Sequence, residues 1–348
     1  MTTTGQREIR IANRLVGDIH PPLVIPEIGI NHGGSIDRAI RMIDDIAKAG
    51  GECVKFQAHG VDDEMIPNDV IPANSTRSIW DIIDQCTLTP DEELRCKEHA
   101  ESLGLIYLST PFSREAADRL AGFGVEAFKI GSGECNNIPL LRHIAQHHKP
   151  MIVSTGMNDA SSIARTVEAL EDEGVEFALL HCTSMYPTPF ESVRLGCITE
   201  LRETYPNTVI GISDHSLSNL PALAAVALGA SIIERHFTSD KSWKGEDIDI
   251  SIDPIGFVEL LEGSRIVHSA SGGSKGVLPG EQPTIDFAYA SVVSITPIVS
   301  GETLTDKNIW VKRPGTGEIL AFDFNQVVGK RATRSIDRGE QLKWSDVE

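Results

Sequence analysis

VIGISDHSLSNLPALAAVALGASIIERHFT, residues 209–238, sets two short runs of β-branched and apolar residues on either side of an Ala- and Leu-rich segment that stops at Gly229. A strand, a helix closed by glycine and a second strand of the same character make one β-α-β unit, whose strands pair in parallel through a right-handed crossover. The alternation recurs along the chain. Strand-like runs lie at 23–31 (LVIPEIGIN), 53–57 (CVKFQ), 105–111 (LIYLSTP), 127–133 (AFKIGSG), 151–157 (MIVSTGM) and 177–184 (FALLHCTS), then at 209–216 and 231–238. Between them run helical periods. The clearest is 35–49, where Ser35 is placed to cap and Ile36, Ala39, Ile40, Ile43, Ile46 and Ala47 form one apolar stripe. Other helices end at Gly50, Gly104 and Gly174. Eight such units are the number that closes a (β/α)8 TIM barrel, so the fold class is α/β. The rival, a doubly wound open sheet, lacks its G-x-G-x-x-G after the first strand.

The chain has 348 residues, 41% hydrophobic and 23% charged, ordinary globular usage that excludes disordered, collagen-like and coiled-coil classes. The barrel domain is assigned to 1–270, with its repeating units starting near residue 20. ASGGSKGVLPGEQPTIDF (270–287) is rich in Gly, Ser and Pro, and 271–287 reads as a linker. Residues 286–348 hold 9 acids and 8 bases, so almost all of the net charge of −19 belongs to the barrel, and 288–348 is a separate, nearly neutral unit. That unit repeats itself. Ile298, Gly301, Glu302, Leu304 and Ile309 are echoed 38 residues later by Ile336, Gly339, Glu340, Leu342 and Val347, which predicts a small domain of two related halves.

Fifty acids against 31 bases oppose nucleic acid and anionic membrane surfaces as partners. No apolar run is long enough to span a bilayer, and MTTTGQREIR lacks the core of a signal peptide, so a soluble, cytoplasmic protein is expected. Cysteines 53, 86, 96, 135, 182 and 197 form no C-x-x-C pair and read as reduced thiols.

Barrel enzymes carry their working groups at the C-terminal ends of the strands. Those ends hold Glu27 and Asn31, Lys55 and Gln57, Thr110, Lys129 with Ser132 and Glu134, Ser154, Ser184 and Tyr186, Ser213 with Asp214 and His215, and His236. Residues two apart face the same side, so Lys55 with Gln57, Ser213 with His215, and Glu27 with Asn31 are expected to share the mouth. His215 and His236 end neighbouring strands beside Asp214, an arrangement that suits a divalent cation such as Mn²⁺ with open positions rather than a closed zinc site. Lys55 and Lys129 sit in apolar strands, where an ammonium needs an anion. With Ser132, Ser154 and nearby backbone amides they form a cradle for phosphate and carboxylate. Two other readings compete: a Schiff-base lysine, as in an aldolase, and a lysine merely paired with Glu27 or Glu134. Glu27 and Glu134 are candidates for proton transfer.

At these residues the sequence resembles the N-acetylneuraminate (sialic acid) synthase family. The resemblance rests on PEIGINHGGSIDRAI (26–40), VKFQAH (54–59), STPFS (109–113), FKIGSGECNNIPLL (128–141), VSTGM (153–157), LLHCTSMYPTP (180–189), GISDHS (211–216), ERHFTSDKSWKGED (234–247) and WVKRPGTG (310–317). It implies a (β/α)8 barrel followed by a SAF domain, similar to type III antifreeze protein. It also implies condensation of phosphoenolpyruvate with N-acetylmannosamine, by C–O cleavage, with Mn²⁺ or else Mg²⁺ or Co²⁺. By the same resemblance His215 and His236 match metal ligands, and Lys55, Lys129, Ser132, Ser154, Ser184 and Ser213 match positions around phosphoenolpyruvate. Glu27, Gln57, Tyr186 and Asp247 match positions that handle the amino sugar or flank the metal, and Glu134 matches the proton-transfer carboxylate. Arg313 matches an arginine that the SAF domain of one subunit inserts into its partner's barrel, implying a domain-swapped homodimer. One departure stands out: Ser184 occupies a position where bacterial sialic acid synthases often carry Asn. Legionaminic and pseudaminic acid synthases share most of these motifs, so a 2,4-diacetamido hexose is the alternative substrate. A non-catalytic sugar-binding protein is the alternative of another class.

Overall fold

Ser35 starts the first helix of the repeating pattern by accepting a hydrogen bond from the Arg38 amide, and Ala39, Met42, Ile43 and Ile46 of helix Ile36–Lys48 are its buried face. Spacings of three and four residues put those side chains on one stripe, which packs on strands. In the computed structural model, which describes residues 7–348, the chain forms two compact units divided between Gly272 and Gly273.

The first unit opens with an antiparallel hairpin, β1 (Glu8–Ile11) and β2 (Arg14–Gly17). Eight parallel strands follow: β3 (Leu23–Gly29), β4 (Cys53–Ala58), β5 (Ile106–Pro111), β6 (Phe128–Ile130), β7 (Met151–Ser154), β8 (Phe177–Cys182), β9 (Val209–Ser213) and β10 (Ile232–His236). They pair in chain order, and β10 closes on β3. The barrel is therefore the one expected, with six of the eight strands two or three residues shorter at the C-terminal end, β5 ending as expected and β4 running one residue longer. In particular, GSG leaves β6 and turns into a short 3₁₀ segment, Ser132–Glu134. Gly50, Gly104, Gly174 and Gly229 all take the left-handed backbone of a helix stop.

Two apolar layers hold the barrel. One lies between strands and helices and includes Val24, Ile28, Met42, Ile43, Phe56, Phe128 and Phe257. The other fills the cylinder, where Leu23, Ile25, Leu108, Ile152, Leu180 and Ile232 meet Ile9, Ile11 and Val16 of the hairpin. The hairpin is thus a plug. Its packing against Leu23 and Ile232, which begin their strands, places it at the end of the cylinder opposite the strand termini that carry the polar residues.

The second unit has its own core, with Val292, Ile298, Leu304, Ile309, Ile319, Ile336 and Leu342 buried. β11 (Ser291–Ser294) and β12 (Ile309–Lys312) pair antiparallel. The sequence echo is structural. Ile298 bridges Ile336, and Gly301 and Gly339 both adopt positive φ. Glu302 accepts the Val299 amide just as Glu340 accepts the Asp337 amide. The stretch expected to be a plain linker also holds structure: a 3₁₀ turn at Pro279–Glu281 leads into helix Gln282–Ala288, whose Asp286 carbonyl accepts from Gly315.

Ile11→Ala should lower unfolding stability by about 2–5 kcal/mol, the usual cost of truncating a fully buried isoleucine. Chemical denaturation checks this, and a loss under about 1 kcal/mol would mean that the hairpin does not plug the barrel.

Candidate functional site

Strand register sets the site. Glu27 pairs across to Lys55 on one side and to His236 on the other, Gln57 lies level with Thr110, and Ser213 lies level with both Cys182 and Glu234. Because alternate residues face inward, β4 and the residue just past it present Lys55, Gln57 and His59, while β10 presents Glu234 and His236.

At the bottom of the mouth four charges meet, each nearly or wholly buried. Lys55 Nζ lies 2.6 Å from Glu27 Oε2 and 3.7 Å from Glu234 Oε2, and donates to Thr110 Oγ1 at 3.1 Å. Lys129 Nζ lies 3.6 Å from Glu234 Oε1 and donates to Ser154 Oγ at 2.7 Å. Ser213 Oγ donates to Glu234 Oε1, and Gln57 Nε2 to Glu27 Oε1, both at 2.9 Å. Burial alone would lower both lysines. Around Lys55 the two carboxylates outweigh it and its pKa is raised; at Lys129 burial prevails and the pKa is lowered. Burial likewise lifts Glu27 to about 7 despite Lys55, whereas the two lysines outweigh burial at Glu234 and hold it below the ordinary carboxylate value.

Two adjoining cavities open above this quartet. The inner one, about 260 Å³, is lined by Glu27, Lys55, Gln57, Thr110, Lys129, Ser132, Ser154, Ser184, Tyr186, Ser213, His215, Glu234 and His236. The outer one, about 740 Å³, is walled by Ile30, Met65, Pro72, Ile79, Ile82 and Ile83 with Glu134 and Asp247, and shares Gln57, Phe112, Ser184, Tyr186 and His236 with the inner one. Gly156 packs against two residues of the inner wall and nothing larger fits there: a β-carbon would run into Ser132 Oγ and Ser184 Oγ, while its own amide donates to Ser132 Oγ at 3.0 Å.

The His215 and His236 rings lie 5.4 Å apart, and Tyr186 sits over His215 at 4.3 Å between ring centres. His215 Nδ1 is 3.1 Å from the Thr183 carbonyl. His236 Nδ1 is buried without a hydrogen-bond partner, 3.7 Å from Asp247 Oδ2. Burial, then the charge of His215, holds the His236 imidazole well below the ordinary histidine pKa, so it is neutral and a lone pair is available. A partnerless buried nitrogen beside a second imidazole fits a divalent cation.

Of the readings of the lysines, pairing with Glu27 is seen for Lys55, while Glu234, shared by both lysines, was not singled out in the sequence. Three positions differ from expectation. Asp214 faces away from the mouth, 3.4 Å from the buried Arg235 and accepting from Ser216. Asn31 likewise turns from the cavity and donates to the Phe237 carbonyl and Ser251 Oγ. Glu134 faces only the outer cavity, where Asn137 donates to it at 2.5 Å. Arg313 belongs to the second unit, exposed just after β12. Reasoning from sequence also missed Cys182, in the inner wall, and His59, which stacks on Phe112 at 4.5 Å and bonds Gln57 and Glu64. The period-two rule that linked Lys55 to Gln57 would have found His59 and Glu234 had it been carried one step further along each strand.

The NeuB family model matches residues 42–276 and the SAF domain model residues 289–348. The chain is 34% identical to the N,N'-diacetyllegionaminic acid synthase of Campylobacter jejuni over 92% of this chain and 98% of that one. It is 31% identical to the N-acetylneuraminate-9-phosphate synthase of Mus musculus, over 96% and 95%. Among solved structures, an N-acetylneuraminic acid (sialic acid) synthetase from Leptospira borgpetersenii superimposes with a TM-score of 0.74 at 32% identity, covering 80% of this chain and 95% of that one.

Glu234→Gln leaves two buried ammonium groups with one carboxylate, so unfolding stability should fall by about 3–5 kcal/mol. A denaturant midpoint close to the wild type would show that the lysines do not depend on Glu234.

Proposed function

Because the chain belongs to the NeuB family, we propose that it condenses phosphoenolpyruvate with N-acetylmannosamine and water, giving N-acetylneuraminate and phosphate. The observation that carries this reading is the pair of joined cavities, one small and lined by two lysines and several hydroxyls, the other larger and mostly apolar. The first suits a compact polyanion and the second an N-acylated sugar.

Phosphoenolpyruvate sits in the inner cavity, its phosphate and carboxylate taken by Lys55, Lys129, Ser132, Ser154, Ser184 and Ser213. The sugar lies above it with its reactive aldehyde toward the seam, held by Gln57, Tyr186, Asp247 and Glu27. His215 and His236 would hold a divalent cation, Mn²⁺ by family resemblance with Mg²⁺ or Co²⁺ as substitutes, which would supply Lewis acidity for the aldehyde. Carbon three of the enol attacks the aldehyde carbon; the enol electron pair forms the C–C bond, carbon two becomes oxocarbenium-like, and the aldehyde oxygen gains a proton. Water entering from the outer cavity adds to carbon two and gives its proton to Glu134, which lines that cavity and matches the proton-transfer carboxylate by resemblance. The tetrahedral intermediate then expels phosphate by C–O cleavage.

A 2,4-diacetamido hexose is a second reading, favoured by the apolar residues Ile30, Met65, Ile79 and Ile82, which offer a surface for a second acetamido methyl. By resemblance, Arg313 of a second copy completes the sugar site in a domain-swapped homodimer.

Phosphate release with N-acetylmannosamine, compared with its 2,4-diacetamido analogue, decides the sugar: the faster substrate is the natural class. A chelator should abolish release and Mn²⁺ should restore it. Bridging ¹⁸O of phosphoenolpyruvate should leave with phosphate, and label kept in the sugar acid would overturn C–O cleavage. Arg313→Ala should raise the sugar KM at least tenfold with the phosphoenolpyruvate KM unchanged. Mixing Arg313→Ala with a Lys129→Met chain should recover part of the activity only if sites are shared between copies.

A further inference from the structure

Outside the cavities, one more set of metal-ligating side chains converges. Asp118 lies in helix Arg114–Phe123, His143 in the next helix, Ile138–Ala145, and His147 one turn beyond His143, in the turn that leaves that helix. His143 Nε2 is 2.8 Å and His147 Nε2 3.2 Å from the same oxygen, Asp118 Oδ1. One ligand atom from each of the three lies within 4.8 Å of the others, and among the described residues no other group of three His, Cys, Asp or Glu does so. We propose that Asp118, His143 and His147 form a transition-metal site, of the Zn²⁺ class, on the outer helical layer of the barrel.

The geometry favours a cation over a purely internal ion pair. His147 Nε2 is buried and makes no hydrogen bond, although the carboxylate oxygen is only 3.2 Å away, so the ring does not aim a proton at it. Nitrogen and oxygen donors bound to zinc at about 2.0–2.1 Å in a tetrahedron stand roughly 3.3 Å apart, close to the spacing already present. Small side-chain adjustments suffice. The two histidines are four residues apart, the spacing that brings imidazoles to one side of a helical turn. His147 is fixed from behind by Phe128, 5.7 Å between ring centres. The neighbouring Arg142 points elsewhere, toward Asp172 and Glu173 at 3.8 and 3.6 Å, so no guanidinium competes for Asp118. Two imidazoles and one carboxylate match zinc, nickel or cobalt, and leave a position for water.

The site is separate from the chemistry. His147 precedes Lys149, Pro150 and Met151, so it lies where the chain enters β7, at the end of the barrel opposite the mouth. A metal there would tie one helix to the next.

Equilibrium dialysis of the full chain against micromolar Zn²⁺, followed by metal quantification, tests it. The wild type should hold one equivalent more than His143→Gln/His147→Gln, and Asp118→Asn should weaken that equivalent at least tenfold. Zn²⁺ should raise the melting temperature of the wild type more than that of the double variant. Phosphate release by the double variant should be unchanged, which shows that it is folded. Equal zinc content in the wild type and the folded double variant, or the same loss in a His148→Gln control, would overturn the site.

Discussion

Four buried charges govern the rest of the molecule. Lys55 and Lys129 can be charged inside a barrel only because Glu27 and Glu234 lie across from them, and the ammonium groups in turn outweigh desolvation at Glu234 and offset part of it at Glu27. Replacing the quartet with apolar side chains would pack as well or better. Its presence therefore points to a ligand whose own charges replace one set of partners by another. On the proposed function Glu27 and Glu234 would act as place-holders: a phosphate or carboxylate reaching the lysines would find the cost of keeping them there already met.

The fold supplies that arrangement through register alone. Parallel pairing sets Glu27 between Lys55 and His236, and Ser213 between Cys182 and Glu234, so residues far apart in the chain form one ring of side chains. The hairpin from Glu8 to Gly17 seals the other end, leaving one way in. Small positions then decide the shape of the pocket. Gly156 leaves room for Ser132 and Ser184, and the register shifts between Glu27 and Gly29, beside the Gln57–Glu27 hydrogen bond.

The barrel was legible because its signals are local: β-branched runs, one apolar stripe per helix, and glycine stops such as Gly50 and Gly229. The inward ends of the strands were legible too, since period two is a property of the strand itself. What could not be read was pairing across strands. Period two puts Glu234 on the face of His236 and Asp214 on the face opposite His215, but no single strand shows that Glu234 meets both lysines or that Asp214 meets Arg235. Likewise Asn31 looked like a mouth residue, but β3 had already ended at Gly29, and the alternation ended with it. The plug strands, four residues each, were too short to stand out. The helix at Gln282–Ala288 was hidden by the Gly- and Pro-rich composition around it.

A formal charge of −19 raises the question of how an anion is captured at all. Exposed acids act through water and salt, which screen them beyond roughly 8–10 Å at physiological ionic strength. Inside the inner cavity the partners are a few ångströms away and poorly solvated, so each contact counts for far more than a surface charge. Formally the quartet is neutral, two cations against two anions. Burial raises Glu27 to about 7, however, so near neutral pH that carboxyl carries a proton part of the time, and the balance then favours the lysines. An incoming polyanion deepens that preference, because its charge disfavours ionised Glu27 still further. The global field thus opposes approach only at a distance, while the local one, set by two strands' worth of lysine and hydroxyl groups, decides what is held.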